Sequence, residues 1–412
     1  MNIAFFCYEY YPLLVGGLGT YAIEVTRKMK ELGNDISVFT LNNGELETYE
    51  IWNGIEIHRP MLVDVMDIFP LVVKEDLRRW GWHLKFFADI YTYNILSSTK
   101  FVNLLIKKQK RKFDIISFHD WLSAFAGIIS KKNTKLPAVF HIHSIEEQRA
   151  LGGGSETIKE IERVAANYAD KIITVSYSMK DFLIQLGYPK EKIEVVYNGI
   201  DTEKYNPKNV NWKLVEELKQ RYKIENEKVI LFVGRLTWIK GVYNLLKAMV
   251  EINKKHKDVK LIILGKGEEY SNLLQLKQQL NLHNVEIYSK WVSEEERIAH
   301  YALADVCVFP SINEPFGIVS LEAMAMEKPV VVGAKNVNGL KEQVVPSGEN
   351  RTGVHVNGED PLDIAWGIDV VLSNLDEAKK WGKNGRKRVE EMFKIEYTVK
   401  KTLDIYESLL KR

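Results

Sequence analysis

The feature that most constrains this chain is a set of short Val/Ile/Leu/Phe runs that recur along it without polar alternation. They fall at residues 2–8, 35–41, 114–118, 137–142, 171–175 and 193–196, and again at 229–234, 259–264, 285–288, 305–309, 329–333 and 353–356. A strand with one wet face alternates apolar and polar residues. A continuous run marks a strand covered on both faces, as in a parallel sheet flanked by helices. Longer helical patterns separate the runs. Two such sets predict an α/β protein of two Rossmann-like, doubly wound parallel-sheet domains. The turn-rich stretch from Tyr197 to Pro207 divides the sets, so the expected domains are 1–198 and 199–393. The last helical pattern, at 394–412, is a candidate to pack back on the first domain.

The length of 412 residues fits two or three domains. With 46% hydrophobic and 27% charged residues, the composition is that of a soluble globular protein. A net charge of +2 argues against a nucleic-acid partner held by many phosphate contacts. Cys7 and Cys307, the only cysteines, lie inside apolar runs and read as buried, reduced thiols, which fits a cytoplasmic setting. Residues 2–8 read as a first strand and not as a signal peptide, and no apolar run has the length of a membrane span.

Residues 63–112 break the alternation. They carry Trp80, Trp82, Phe86, Phe87, Tyr91 and Tyr93, then the basic run Lys107, Lys108, Lys110, Arg111 and Lys112. The plain expectation is a helical insert with a solvated basic end. The sharper one is peripheral contact of residues 78–112 with an anionic membrane or an acceptor.

Chemistry-bearing residues gather after the runs, where strand ends bind ligands in open α/β sheets. In residues 313–326, Glu314 stands in the turn before an almost wholly apolar helix pattern and Glu322 lies one turn inside it. A buried carboxylate needs a polar partner. One reading makes the pair ligands for hydroxyls and phosphates beside an anion-friendly helix N-terminus. The other makes Glu314 a helix cap and gives Glu322 a structural Arg or Lys. Arg235 and Lys240, after the run at 229–234, are spaced to reach one anion, or are two exposed loop cations. Near the start, Gly16, Gly17 and Gly19 allow close backbone approach to a phosphate. Gly17, Gly19 and Ala22 fit a dinucleotide fingerprint, but the glycines lie too far past the first strand and no ribose-binding acid ends the second. His141 and His143 share one side of a strand, and His119 and Asp120 close another. No Cys/His metal spacing appears, so no metal is expected.

Together these segments resemble the retaining nucleotide-sugar glycosyltransferases of family 4 and the related glycogen synthases. The resemblance runs through Gly16-Gly17-Leu18, His143 ahead of Ser144-Ile145-Glu146, and Ala169-Asp170-Lys171 to Ser176. It continues through Val196 to Asp201, Gly234-Arg235 to Lys240-Gly241, Leu264-Gly265-Lys266-Gly267, and Glu314-Pro315-Phe316-Gly317 to Glu322-Ala323. Glu314 and Glu322 match the family's paired glutamates. The resemblance implies a GT-B fold, two Rossmann-like domains facing a cleft. It implies that Arg235 and Lys240 hold the donor diphosphate and that Glu322 takes ribose hydroxyls. Glu314 and the backbone of Phe316, Gly317 and Ile318 would meet the sugar or its phosphate. Gly16 and Gly17 would close over the diphosphate, with His143 near the sugar and Asp120 facing sugar or acceptor. The implied reaction is retaining hexosyl transfer from UDP- or ADP-glucose to a glucan or other glycan, without metal or other cofactor. Leu14 departs from the lysine that glycogen synthases carry two places before the glycine pair, whereas Phe118-His119-Asp120-Trp121 resembles their His-Asp-Trp segment. The acceptor therefore stays open between glucan, lipid-linked and small molecules. A UDP-sugar epimerase of the same fold and a non-catalytic nucleotide-sugar-binding scaffold are the rival readings.

Overall fold

Fourteen strands form two sheets in a computed structural model that describes residues 1–14 and 16–411. Val15, in the predicted glycine loop, lies outside the described residues. The chain divides into two units. The first comprises Met1–Val175, Lys180–Tyr197 and Ile395–Arg412, and the second Ser176–Met179 and Asn198–Lys394.

The sheet of the first unit contains β1 (Asn2–Phe6), β2 (Asp35–Phe39), β3 (Tyr49–Trp52), β4 (Ile55–His58), β5 (Ile115–His119), β6 (Ala138–Ile142), β7 (Lys171–Thr174) and β8 (Ile193–Val195). Their order is β3-β4-β2-β1-β5-β6-β7-β8, parallel except for the β3–β4 hairpin. The chain winds outward from β1 to β2 on one side and resumes with β5 on the other, so the order reverses between β1 and β5. At such a reversal the loops leaving adjacent strands diverge and open a crevice at the strand C-termini. Ile3, Phe5, Val25, Ile36, Val38, Ile115 and Val139 pack into one buried core. The C-terminal helix Ile395–Leu410 joins that core through Ile395, Val399, Leu403 and Tyr406.

The second unit holds β9 (Lys228–Val233), β10 (Val259–Leu264), β11 (Val285–Tyr288), β12 (Val306–Phe309), β13 (Val330–Gly333) and β14 (Gly353–Val356). All are parallel, in the order β11-β10-β9-β12-β13-β14, with the reversal between β9 and β12. The unalternated runs are buried as the composition of a two-faced sheet demands; Ile230, Leu261, Ile263, Val306, Val308 and Val331 are wholly inaccessible.

The hairpin β3–β4 lies outside the predicted strand set. Its residues alternate (Tyr-Glu-Ile-Trp, then Ile-Glu-Ile-His) around Asn53-Gly54, both at positive φ, 51° and 73°. Asn-Gly between alternating strands is the usual hairpin turn, and alternation suits an edge strand with one wet face. That alternation sets it apart from the continuous runs.

Residues 63–112 form short turns, a helix at Leu84–Thr99 and a π-helical continuation at Lys100–Lys108. Arg111 is not a free basic-end charge: it donates to Glu56 Oε2 at 2.8 Å and Ser37 Oγ at 3.2 Å. This segment helps enclose a cavity of about 880 Å³, lined mainly by aliphatic and aromatic side chains such as Phe69, Val72, Leu77, Phe87, Ile95 and Phe125. Among the described residues, no helix is long and apolar enough to cross a membrane.

Candidate functional site

The predicted residues gather at the two sheet reversals, one in each unit. In the first unit, His119 and His141 are register partners on β5 and β6. Parallel partners project on one face about 4.8 Å apart, and their rings stack at 4.3 Å. His143, just past β6, stacks on His119 at 5.4 Å, and His119 Nδ1 lies 3.1 Å from His143 Nε2. Tyr21 covers the His143 ring edge-on at 4.5 Å. Burial holds all three imidazoles neutral by pushing their pKa values down, that of His143 to about 3. Sequence spacing does not reveal this trio, because His119 comes from a separate strand.

The trio offers ligand nitrogens within 4.8 Å of one another, a grouping that holds a cation in some proteins. Here the donor set fits a metal poorly. The three rings lie within 16–26° of parallel, and His119 Nδ1 is turned to His143 Nε2 at 3.1 Å. One nitrogen of His141 and both of His119 already have hydrogen-bond partners.

Asp120, the next residue after β5, sits at φ 53°, a strained backbone for a non-glycine residue. Its N–H donates to His141 O at 2.9 Å. Its Oδ1 accepts the N–H groups of His143 at 2.7 Å and Ser144 at 3.3 Å. The carboxylate thus fixes the turn that carries His143. Burial raises its pKa to about 6, against the opposing pull of Arg149 and those two N–H groups. Nearby Glu162 accepts the Glu146 N–H at 2.9 Å and pairs with Arg149 at 3.2 Å, and burial lifts it to about 8.

Gly16 begins the helix Gly17–Glu31, and its N–H donates to Glu9 Oε2 at 2.9 Å. A Cβ on Gly16 or Gly17 would meet no atom within 4 Å. Internal packing therefore does not require glycine there, and the open space suits close approach of a ligand.

In the second unit, Arg235 follows β9 and is exposed; among the described residues its guanidinium has no hydrogen-bond or ion-pair partner. Lys240 pairs with Glu314 Oε2, and Ser311 donates to the same oxygen at 3.4 Å. The loop after β9 is pressed onto the end of β12: Gly241 has φ 70°, and a Cβ there would lie 2.0 Å from Pro310 O. Only glycine holds Lys240 in that position.

The buried helix is Ile318–Ala325. Its N-cap is Gly317 at φ 86°, where a Cβ would strike Leu340 at 2.5 Å, and no side chain caps it. Glu314 is consequently a partner of Lys240 and not the cap. Its backbone is fixed as well, with N–H to Val337 O at 3.0 Å and its carbonyl accepting from Gly339 at 2.7 Å. The result is a helix N-terminus, without a side-chain cap among the described residues, bearing Phe316, Gly317 and Ile318, with Lys240 tied to Glu314 just before it and Arg235 in the loop after β9.

Glu322 meets the structural arginine that the sequence left as an alternative. Tyr205 donates to Oε1 at 3.0 Å, Tyr301 to Oε2 at 2.8 Å, and Arg297 Nε lies 3.3 Å from Oε2. Both oxygens are occupied, so an open ribose acceptor is not what the structure presents. The carboxylate beside them keeps both tyrosine hydroxyls protonated, adding to burial. Arg297 and Tyr301 were missed in sequence; their i, i+4 spacing in the helix Glu294–Leu303 was the available signal.

The model for Glycosyltransferase Family 4 matches residues 15–204, and that for Glycosyl transferases group 1 matches residues 215–388. A glycosyltransferase of Methanocaldococcus jannaschii is 32% identical over 98% of this chain and 98% of its own. The alpha-maltose-1-phosphate synthase of Mycolicibacterium smegmatis is 32% identical over 71% of this chain and 78% of its own. The glycogen synthase of Mycobacterium tuberculosis is 26% identical over 98% and 94%. Among solved structures, sucrose-phosphate synthase from Thermosynechococcus elongatus superposes with a TM-score of 0.80 at 23% identity, covering 100% of this chain and 99% of that one, a likeness of GT-B fold.

Proposed function

The chain belongs to glycosyltransferase family 4, and from that premise we propose that it transfers glucose, with retention, from UDP- or ADP-glucose to a glucan or other glycan without a metal. The observation that carries this reading is the cationic, uncapped end of the β9/β12 reversal. Among the described residues, Arg235 is a cation without a hydrogen-bond or ion-pair partner, Lys240 is held by Glu314, and the helix beginning at Ile318 has no side-chain cap. Such a site suits a diphosphate: Arg makes paired contacts, Lys adds a point charge, and helix N–H groups take a third oxygen.

In the reaction the bond between sugar C1 and the diphosphate oxygen breaks, and the acceptor oxygen bonds to C1 on the same face. The acceptor proton passes to the departing diphosphate, so no separate protein base is required. Arg235 and Lys240 stabilise the charge that grows on the leaving group. Glu314 keeps Lys240 in place and faces the sugar with the backbone of Phe316 to Ile318. Glu322 takes a ribose hydroxyl in exchange for one of its present partners. Gly16 and Gly17 give the diphosphate a close backbone approach, while neutral His143 and the Asp120 turn serve the sugar side.

A second reading, an acceptor bearing a hydrocarbon chain, is favoured by the apolar cavity in the first unit. Phe87 lines it and stacks at 5.8 Å on Trp121, the residue after Asp120. The test is release of nucleoside diphosphate from UDP-, ADP- and GDP-sugars, with and without malto-oligosaccharide or a polyprenyl phosphate. Glucosyl transfer that needs the oligosaccharide supports the first reading. Transfer only to the lipid replaces it with the second, and no turnover of any sugar nucleotide removes both.

A further inference from the structure

Five side chains from two strand ends and the C-terminal helix form one hydrogen-bonded chain inside the first unit. It runs from His141 Nε2 to Tyr406 Oη at 2.7 Å, from Tyr406 Oη to Ser117 Oγ at 2.8 Å, and from Ser117 Oγ to His119 Nε2 at 3.0 Å. It ends with His119 Nδ1 to His143 Nε2 at 3.1 Å. Tyr406, Ser117, His119 and His141 are buried, while His143, the last member, is half-buried.

Each neutral imidazole has one proton and each hydroxyl has one, and among the described residues neither Ser117 nor Tyr406 has a side-chain hydrogen-bond partner outside the chain. With every hydroxyl proton used inside it, so that neither oxygen is a double acceptor with an orphaned O–H, the chain has two self-consistent polarities. In one, His141 Nε2 donates to Tyr406, Tyr406 to Ser117, Ser117 to His119 Nε2, and His119 Nδ1 to His143 Nε2. In the other, every arrow reverses. Two observations select the first. The Tyr406–Ser117 geometry has the tyrosine hydroxyl donating. In addition, His141 Nδ1 is buried without a hydrogen-bond partner among the described residues. Under the first polarity that nitrogen bears only a lone pair. Under the reverse polarity it would bear a buried, unsatisfied N–H, the rarer and costlier state. Burial holds the imidazoles neutral, as the count of protons requires.

We infer that Tyr406, on the C-terminal helix, is a positioning residue that fixes the tautomer of His143, with the proton on Nδ1 and Nε2 as acceptor. His143 then offers its ligand an N–H donor, which matches a hydroxyl or ring oxygen of a sugar. That last step rests on the proposed place of His143 beside the sugar; the tautomer itself does not. The inference also gives the C-terminal helix a task beyond covering apolar surface: it supplies the hydroxyl that bonds His141 and orients Ser117 toward His119.

The test is a two-bond 15N–1H spectrum of the full chain with 15N-labelled histidine, with the His143 signals assigned by their loss in His143→Gln. The expected wild-type pattern has a protonated Nδ1 on His143. Tyr406→Phe keeps the ring but removes the hydroxyl, so His143 should then populate both tautomers. Turnover should fall roughly tenfold, the upper end of one hydrogen bond's net worth, with donor KM within about twofold of wild type. Ser117→Ala should give the same spectral change. A wild-type His143 protonated on Nε2 overturns the inference without recourse to any variant. So does a folded Tyr406→Phe protein whose His143 tautomer is unchanged. Because the spectrum needs no substrate, the expected pattern in a protein that consumes no sugar nucleotide sustains the relay and removes only the transferase reading.

Discussion

The two sheet reversals use the same topology for opposite electrostatic ends. At β1/β5 the imidazoles are buried and neutral, and hydrogen bonds between side chains absorb their polarity. At β9/β12 stand two cations, Arg235 exposed and without a hydrogen-bond or ion-pair partner among the described residues, and Lys240 held by one carboxylate. A neutral, desolvated site recognises hydroxyls by direction. A cationic one recognises anions by charge. The difference teaches that one Rossmann-like frame leaves the chemistry to the few residues following its strands.

The largest expected break in this comparison is Arg235→Ala. Losing a paired contact to a bound diphosphate should cost about 2–5 kcal/mol in kcat/KM, with the melting temperature unchanged because the exposed guanidinium has no hydrogen-bond or ion-pair partner among the described residues. Steady-state kinetics beside a thermal melt would separate the two. Next comes Glu322→Ala, which strands Arg297 and two tyrosine hydroxyls. A quarter-exposed arginine softens the penalty of a broken buried pair to about 2–3 kcal/mol of stability. Chemical denaturation measures it, and a stability equal to wild type would show the network to be incidental.

Glu314→Gln keeps a hydrogen-bond acceptor for Lys240 but removes its charge, and turnover should drop by about 10–100-fold. Nucleotide binding should hold or tighten, since one negative charge near the diphosphate is gone. Calorimetry with UDP and ADP reads the sign.

Asp120 gives the comparison a pH signature. Its carboxylate form accepts the N–H groups of His143 and Ser144, so activity should fall about tenfold per pH unit below about 6 and lose that limb in Asp120→Asn. Stability runs the other way. The folded pKa of about 6 lies above an ordinary Asp, so the native state binds more protons, and this group's contribution is lost as pH rises through 6.

His143 should show the smallest effect. Its folded pKa, about 3, lies below the ordinary histidine value, so the unfolded state binds the extra proton. Its contribution to stability is full above about pH 6.5 and lost as pH falls toward 3. No histidine limb should appear in the rate profile between pH 6 and 9, and one that vanished in His143→Gln would contradict a neutral first site.

Most of the frame was legible because burial on both sheet faces forces continuous apolar runs, and each of the twelve predicted runs overlaps a strand. The hairpin escaped because an edge strand alternates, although Asn53-Gly54 announced its turn. The placement of Arg235 and Lys240 in one segment after β9 was also legible. Partners brought from afar were not: Tyr406 lies 265 positions from His141, and Tyr205 lies 117 from Glu322. Nothing local distinguishes those tyrosines from core residues. The cavity behind residues 63–112 was hidden for a related reason, since its wall is shared by helices distant in sequence.

The most direct test of the contrast between the two reversals is equilibrium binding of UDP and ADP to wild type, Arg235→Ala and His143→Gln. Binding by wild type, a loss of about 30-fold or more in Arg235→Ala, and near-wild-type affinity in His143→Gln would bear the account out, about 2 kcal/mol falling on the cationic site alone. Equal affinity in wild type and Arg235→Ala, or a loss confined to His143→Gln, would contradict it.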